Sequence, residues 1–322
     1  MTLPLRLIAP LVAIAALGAI TACAPNTTIL TVGAGKQFAL PSQAVRQART
    51  GDTVEIFPGR YDDCAVWRQD NLSIVGVGDG VVLGPRVCDD KAIFVVAGHD
   101  VLIRGLTFTG ARTTDHNGAG IRAEGGTLTL EDDKFLDNED GVLAYLPEGG
   151  DITVRAGYFE GNGACIGECA HGIYVSRADR LTVEHSEFFA QHDGHHIKSR
   201  ALQTTILDNF VHDGPKGTAS YLVDIPQSGN VTIIGNRFEK GPLSSNHTTA
   251  IAIGAEQNKP QHPTQSIVIR DNTFTNDMAR PTVFVRNFSA TPAALHGNTL
   301  SGPITPLSGP GLASAGPFGS RY

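Results

Sequence analysis

The sequence predicts an all-β solenoid. Three observations point there: a recurring strand–turn unit, abundant glycine with few aromatics, and apolar faces that no unit can bury alone. The units are VLIRGLTF, LTLEDDKF, ITVRAGYF, LTVEHSEF, TTILDNFV, VTIIGNRF, IVIRDNTF and AALHGNTL. Each alternates apolar residues, turns through polar residues that often include Asn or Asp, and closes on an apolar one. The closing positions are Phe108, Phe135, Phe159, Phe188, Val211, Phe238, Phe274 and Leu300, roughly 22–29 residues apart, with a longer gap at QNKPQHPT. Alternation at period two means strand with one side toward a core. The 37 glycines and 7% aromatics fit many tight turns between short strands.

Each unit has a second strand: AGIRAEG, GVLAYLP, HGIYVSR, HHIKSRA, YLVDIPQ, AIAIGAE and TVFVRNF. Neighbouring units must stack to bury their apolar sides, and parallel stacking of such coils gives a right-handed parallel β-helix. The units resemble the repeats of the pectate-lyase-like superfamily over about Thr31 to Gly302, so residues 31–302 are expected as one domain. In the opening segment GKQFALPSQAVRQARTGDTVEIFPGRY, Ser42 is expected to cap a short amphipathic helix. Its Ala44, Val45 and Ala48 would cover the open end of the stack. Gly51-Asp52 and Pro58-Gly59 supply turns into the first coil. A β-sandwich, the competing fold, would show less regular asparagine turns and no end-capping helix. From Ser301 on, and through residues 303–322, the chain is rich in Gly, Pro and Ser, and is expected as a loose wrap or as disorder.

Residues 1–22 read as a secretory signal: Arg6 precedes an apolar run from about Leu7 to Ile20, too short for a stable membrane span. Ile20-Thr21-Ala22-Cys23 resembles the lipobox of bacterial lipoproteins, with Ile in place of the usual Leu. The resemblance implies lipidation of Cys23, a linker over 23–30, and export to the periplasm or outer membrane of a Gram-negative cell. Ordinary signal cleavage near Ala24 is the alternative. Setting Cys23 aside leaves Cys64, Cys88, Cys165 and Cys169, an even number for an oxidising compartment. Of three pairings, Cys64–Cys88, about one repeat apart, and Cys165–Cys169, closing CIGEC, are favoured; the spacings are not those of a zinc site. Net charge is −7 without a basic block, which argues against nucleic acid as a partner. The chain is expected to act as a monomer.

The densest chemistry lies in AQHDGHHIKSRA, Ala190 to Ala201. Alternation places Ile197 and Ser199 inward and His196, Lys198 and Arg200 outward. In HGIYVSR, Tyr174 and Ser176 face out; in SYLVDIP, Asp224 does. In earlier coils the outward residues are Arg122 and Glu124, then Leu143 and Tyr145. Tyr174, Lys198 and Asp224 should therefore form a ladder on one outer face, with Arg122, Tyr145 and Arg200 close by. His171, His192, Asp193, His195 and Tyr221 fall at the turns framing it. Any one exposed cation on a solenoid is ordinarily just solvated. Basic, acidic and aromatic side chains meeting over three coils point to function, whereas other outward positions carry Leu143, Ala252 and Phe284.

The resemblance implies a polysaccharide ligand. Tyr145 and Tyr174 suit sugar faces, and Arg122, Lys198 and Arg200 suit uronate carboxylates. His171, Asp193, Tyr221 and Asp224 complete the expected binding set. The matching chemistry is β-elimination: Arg neutralises the uronate carboxylate, a base takes the C5 proton, and an acid helps the leaving oxygen. Lys198 is the first candidate base, His195 or His196 the second, and Tyr174 the donor. Returning the proton to the opposite face would give C5 epimerisation with the same groups. A glycoside hydrolase needs paired carboxylates; Asp193, Asp213 and Asp224 are available. GHHIK is faintly similar to the GHG and RIK motifs of polygalacturonases, but these and that family's NTD and DD elements do not occur in matching order. The DPHD motif of mannuronan epimerases is also absent. No cofactor is required, and calcium bridging a uronate to loop carboxylates stays open. A reading of another class is a non-catalytic, membrane-anchored protein that binds or guides a polysaccharide, or a structural surface protein.

Overall fold

The computed structural model describes residues 27–314. The expected signal segment, residues 1–22, and Cys23 lie outside the described residues. The chain winds as a right-handed β-helix of three parallel sheets, one of twelve strands and two of ten. In each coil the chain visits them in the same order: Thr53–Ile56 in the first sheet, Gly59–Tyr61 in the second, Ala65–Trp67 in the third, then Ser73–Gly76 back in the first.

The polar turns of the repeat explain how the first sheet passes to the second. One residue per coil takes a left-handed conformation: Asp132, Ala156, His185, Asp208, Gly235, Asp271 and Gly297. The residue after it points inward. Asn209, Asn236, Asn272 and Asn298 occupy that place in successive coils, each amide Nδ2 donating to the next Oδ1 at 2.9 Å. Every Nδ2 also meets a backbone carbonyl, such as Ile206 for Asn236. The ladder satisfies the buried turn backbone, which would otherwise be orphaned. Asp133 holds the same place one side of the ladder. Its Oδ1 accepts from the Leu106 N–H at 2.9 Å, while its buried Oδ2 has no partner. Burial pushes this carboxyl well above its ordinary range. Asp133→Asn is therefore expected to stabilise the fold by about 1–2 kcal/mol at neutral pH, read as a higher Tm; a lower Tm would refute this account of the turn.

Inside, the closing residues of the repeat stack ring on ring. Phe108, Phe135, Phe159 and Phe188 lie parallel with centroids 4.5–5.4 Å apart. Trp67 and Phe94 continue the column edge-on. The next coil has Val211, and the column resumes at Phe238 and Phe274. The N-terminal end is closed by a helix, Pro41–Val45, with Ala44 fully buried. The expected Ser42 cap is corrected. Pro41 starts the helix with its φ already suited to it, the Gln43 side chain accepts from the Ala39 N–H, and Asp63 accepts from that of Ser42.

Residues 304–313 of the tail are a second correction, while 315–322 lie outside the described residues. Ile304–Ser308 and Gly311–Ala313 are strands pairing in parallel with Thr282–Asn287 and Ala293–His296. Gly309 and Gly311 pass the preceding coil where a Cβ would strike Asn287 and Ala293 carbonyls, so glycine here serves the stack and not looseness. Both expected disulfides are present, Cys64–Cys88 and Cys165–Cys169.

Candidate active site

The third sheet carries the dense stretch. Its register places Arg122, Leu143, Tyr174, Lys198, Asp224, Ala252 and Arg286 in one outward row on successive coils, ~4.8 Å per step. The ladder Tyr174–Lys198–Asp224 is as expected, and Arg122 joins the row one coil beyond Leu143. Tyr145 does not. A bulge after Ala144 sets it opposite Arg177, so its ring stands 43% exposed at the margin.

Two outward assignments are overturned. His196 is buried, its Nε2 2.9 Å from Asp213 Oδ1 with neither side chain more than 1% exposed. Phe284 is also buried, against Phe274. The cause is common to all coils. At a corner in or just before the first residues of each third-sheet strand, two consecutive residues point inward: Gly120-Ile121, Gly141-Val142, Gly172-Ile173, His196-Ile197, Leu222-Val223, Ala250-Ile251 and Phe284-Val285. Early coils use glycine because a Cβ would strike the next coil's carbonyl, at Gly141, Gly172 or His196, and at Gly120 and Gly141 also Phe135 or Phe159. His196 fits where the aromatic column gives way to Val211. Asp213 accepts as well from Ser244 and from the Gly241 N–H. Burial alone would raise its pKa, yet the His196 hydrogen bond and charge, with Lys240, hold it below the ordinary range. Lys240, fully buried, donates to the Ser220 carbonyl at 2.5 Å, and burial lowers it to about 8.

The residue just before each corner forms a second row, beside the first. Asp140 Oδ1 accepts from the His171 N–H at 2.6 Å, His171 Nδ1 from the His195 N–H at 3.0 Å, and His195 Nδ1 from the Tyr221 N–H at 3.1 Å. The rings stack: His171 on His195 at 4.8 Å, His195 on Tyr221 at 4.9 Å. Because each Nδ1 accepts, each neutral imidazole carries its proton on Nε2. His195 Nε2 stands 3.4 Å from Asp224 Oδ2. Burial, reinforced by Lys198, holds His195 well below its ordinary pKa, and burial does the same to His171. His195 is thus a neutral donor with its lone pair engaged, not a free base. Asp193 stays in its turn, tied to Thr218.

Burial pushes Asp224 up from 3.8 to about 7, against the pull of Lys198. The folded state then holds this proton more tightly than the unfolded chain, so stability falls as pH rises from about 4 to about 7 and stays lower above. Asp224→Asn is expected to be more stable than wild type at pH 8, by up to about 4 kcal/mol by linkage and less after local relaxation. That advantage should vanish near pH 4. Thermal melts at the two pH values check it, and a wild-type advantage at pH 8 refutes it.

Around Tyr174, Lys198 Nζ and the Arg200 guanidinium stand 5.2 and 5.1 Å from the ring centre. Arg200 donates from Nη1 to the Tyr174 hydroxyl and forks through Nε and Nη2 onto Glu256 at 3.0 and 2.5 Å. Gln227 donates to the same carboxylate, and His262 meets the Arg200 carbonyl. Arg122 lies 3.4 Å from Glu124, which Lys91 also pairs. Sequence reading missed Asp140 and Glu256. Asp140 sits at the repeat position of His171, His195 and Tyr221, so aligned registers would reveal it. Glu256 belongs to the irregular insertion and has no such signal. Among the described residues no three His, Cys, Asp or Glu side chains gather as a metal cage.

A family model for a right handed beta helix region matches residues 159–305. No curated protein matches the sequence. Among solved structures, a pectate lyase aligns with a TM-score of 0.52 at 14% identity, covering 89% of this chain and 78% of that one. The A-module of a mannuronan C-5 epimerase from Azotobacter vinelandii gives 0.47 at 16% identity, covering 86% and 91%. An alginate lyase from a Paenibacillus species gives 0.48 at 15%, covering 89% and 99%. At these identities the likeness is one of fold.

Proposed function

We propose that this protein acts on an acidic polysaccharide and cleaves it by β-elimination at a uronate, with Lys198 as base and Tyr174 as acid. One observation carries the reading: Lys198 and Tyr174 are register neighbours on an open face, and the phenol oxygen of Tyr174 is held by Arg200. Lys198 takes the C5 proton, the C4–O bond breaks as the C4–C5 double bond forms, and Tyr174 gives its proton to the leaving oxygen. The Arg200 hydrogen bond steadies the phenolate that results. The Lys198 ammonium then returns its proton to Tyr174, and the catalyst is reset without net proton uptake. Arg200 has two N–H groups left beyond Tyr174 and Glu256, enough to meet the uronate carboxylate. Asp224 is too deep to touch a polymer, with Oδ1 sealed. It acts through Lys198, as does His195 through Asp224.

A pectate lyase with the same coils supports an acidic polysaccharide, and the two disulfides support an exported protein. With an anchor at Cys23, the helix would work at a membrane surface. Asp224, on the side of Lys198 opposite Tyr174 and with a pKa of about 7, favours a second reading, C5 epimerisation, in which it relays a proton. The test is ultraviolet absorbance of the chain from residue 24 incubated with uronate polymers, with and without calcium. A rising unsaturated-uronate signal is expected. Deuterium entering C5 without that signal would favour the epimerase, and binding without either would leave a polysaccharide-holding surface.

A further inference from the structure

Beside Tyr174, on the side away from Lys198, a slot of about 260 Å3 opens over the outward row. Its floor is Leu143 and Tyr174. One wall is the disulfide-closed hairpin Ala164–Ile166 and Glu168–Ala170, through Glu168; the other is the loop bearing Asp115 and Asn117. Asp140 lines it too. That side chain belongs to a residue only 1% exposed; its Oδ1 takes the His171 N–H, and no described residue hydrogen-bonds its Oδ2. A buried carboxyl with an oxygen unspent at a cavity wall is costly unless something meets it. Asn117 Oδ1 is engaged by Thr113, which leaves its amide N–H groups for a ligand.

On the reading of the site as a uronate lyase, we propose that this slot holds the sugar adjoining the attacked uronate and takes one without a carboxylate. The substrate is then a mixed polymer of uronate and neutral or amino sugars, not a polyuronate. The coil spacing lets an extended polymer run along the row from Lys198 over Tyr174. Asp115 and Glu168 set two exposed carboxyl groups against the sugar next to the uronate, and Asp140, which burial pushes well above its ordinary range and toward its neutral form, adds a hydrogen-bonding group. Hydroxyl or amine hydrogens satisfy such acceptors; a second uronate would face like charge. Two cations flank the slot floor on the row: Lys198, given to the attacked uronate, and Arg122, whose Nε lies 3.4 Å from Glu124 without a hydrogen bond; His116 stands 3.3 Å from Glu139.

The test is calorimetric titration of the Lys198→Ala chain from residue 24, which keeps the slot but cannot consume ligand. The probes are an alternating glucuronate–N-acetylhexosamine hexasaccharide, a glucuronate–glucosamine hexasaccharide and a galacturonate hexamer. At least one mixed probe is expected to bind about tenfold or more tightly than the hexamer. Asp115→Asn with Glu168→Gln, both at exposed side chains, should bring the ratio toward one by strengthening the hexamer. Equal or tighter hexamer binding, an unmoved ratio in the double variant, or no binding of any probe overturns the proposal. Elimination is read separately on the wild type. Activity confined to polyuronates would keep the lyase and sink the slot assignment, whereas slot selectivity without elimination would sink the lyase alone.

Discussion

Lys198→Ala should lower kcat for elimination by about 10²–10⁴-fold, the range for loss of a positioned general base. Lys198→Arg should not restore it, because a guanidinium stays protonated and cannot accept the C5 proton. Tm should change little. The Lys198 side chain lies on the outer face, and Ile197 and Ser199 on either side of it hold the strand to the core. Tyr174 and Asp224 keep their own backbone pairings with the coils beyond. The measurement is initial-rate absorbance beside a thermal melt. A variant with more than a tenth of wild-type kcat would move the base elsewhere, and one that melts far lower would make Lys198 structural. The role of Arg200 differs: it pairs with Glu256, positions Tyr174, and keeps two N–H groups for the uronate carboxylate.

The second large effect concerns the interior. Asp213→Ala should destabilise the fold by about 3–5 kcal/mol, the cost of breaking a buried pair by removing one partner. It strips His196 of its partner, leaves Ser244 and the Gly241 N–H unsatisfied, and removes the negative field that offsets burial of Lys240. Lys240→Met in the Asp213→Ala background should recover part of the loss, since the buried charge goes with it. Their energies should therefore be non-additive. Thermal and denaturant unfolding of the four proteins in the cycle would show this. Additive effects would mean that Asp213 and Lys240 do not sense each other.

These two predictions meet at one strand, Ile197–Ser199, with Lys198 on its outer face and His196, the buried partner of Asp213, just before it, and the sequence told them apart only in part. Alternation correctly sent Lys198 outward and Ile197 inward, because a pleated strand leaves no other choice. It failed one residue earlier, at His196, and again at Phe284. Both lie on a corner, where the backbone turns and period two no longer holds. The corner is visible only when coils are superposed, as Gly120, Gly141 and Gly172 then line up with His196. Tyr145 faces outward beside Arg200 as alternation expects, and only its register partner is shifted, by a bulge that changes pairing without changing composition.

What the sequence determined by itself was the repeat, hence the fold, and the ladder of Tyr174, Lys198 and Asp224. Both follow from local periodicity, repeated until stacking is the only way to bury it. The pairing Cys64–Cys88 was legible for the same reason, since repeat length brings those two together, and Cys165–Cys169 because the two residues close the short loop CIGEC. What only the tertiary structure decided was which polar groups share a partner. Arg200 and Glu256 are 56 residues apart, His196 and Asp213 meet inside the coil, and Asp140 joins the histidine row through a backbone N–H of the next coil. Hydrogen bonds and desolvation depend on distances of a few ångströms between side chains from different coils, and no pattern along one strand encodes those distances.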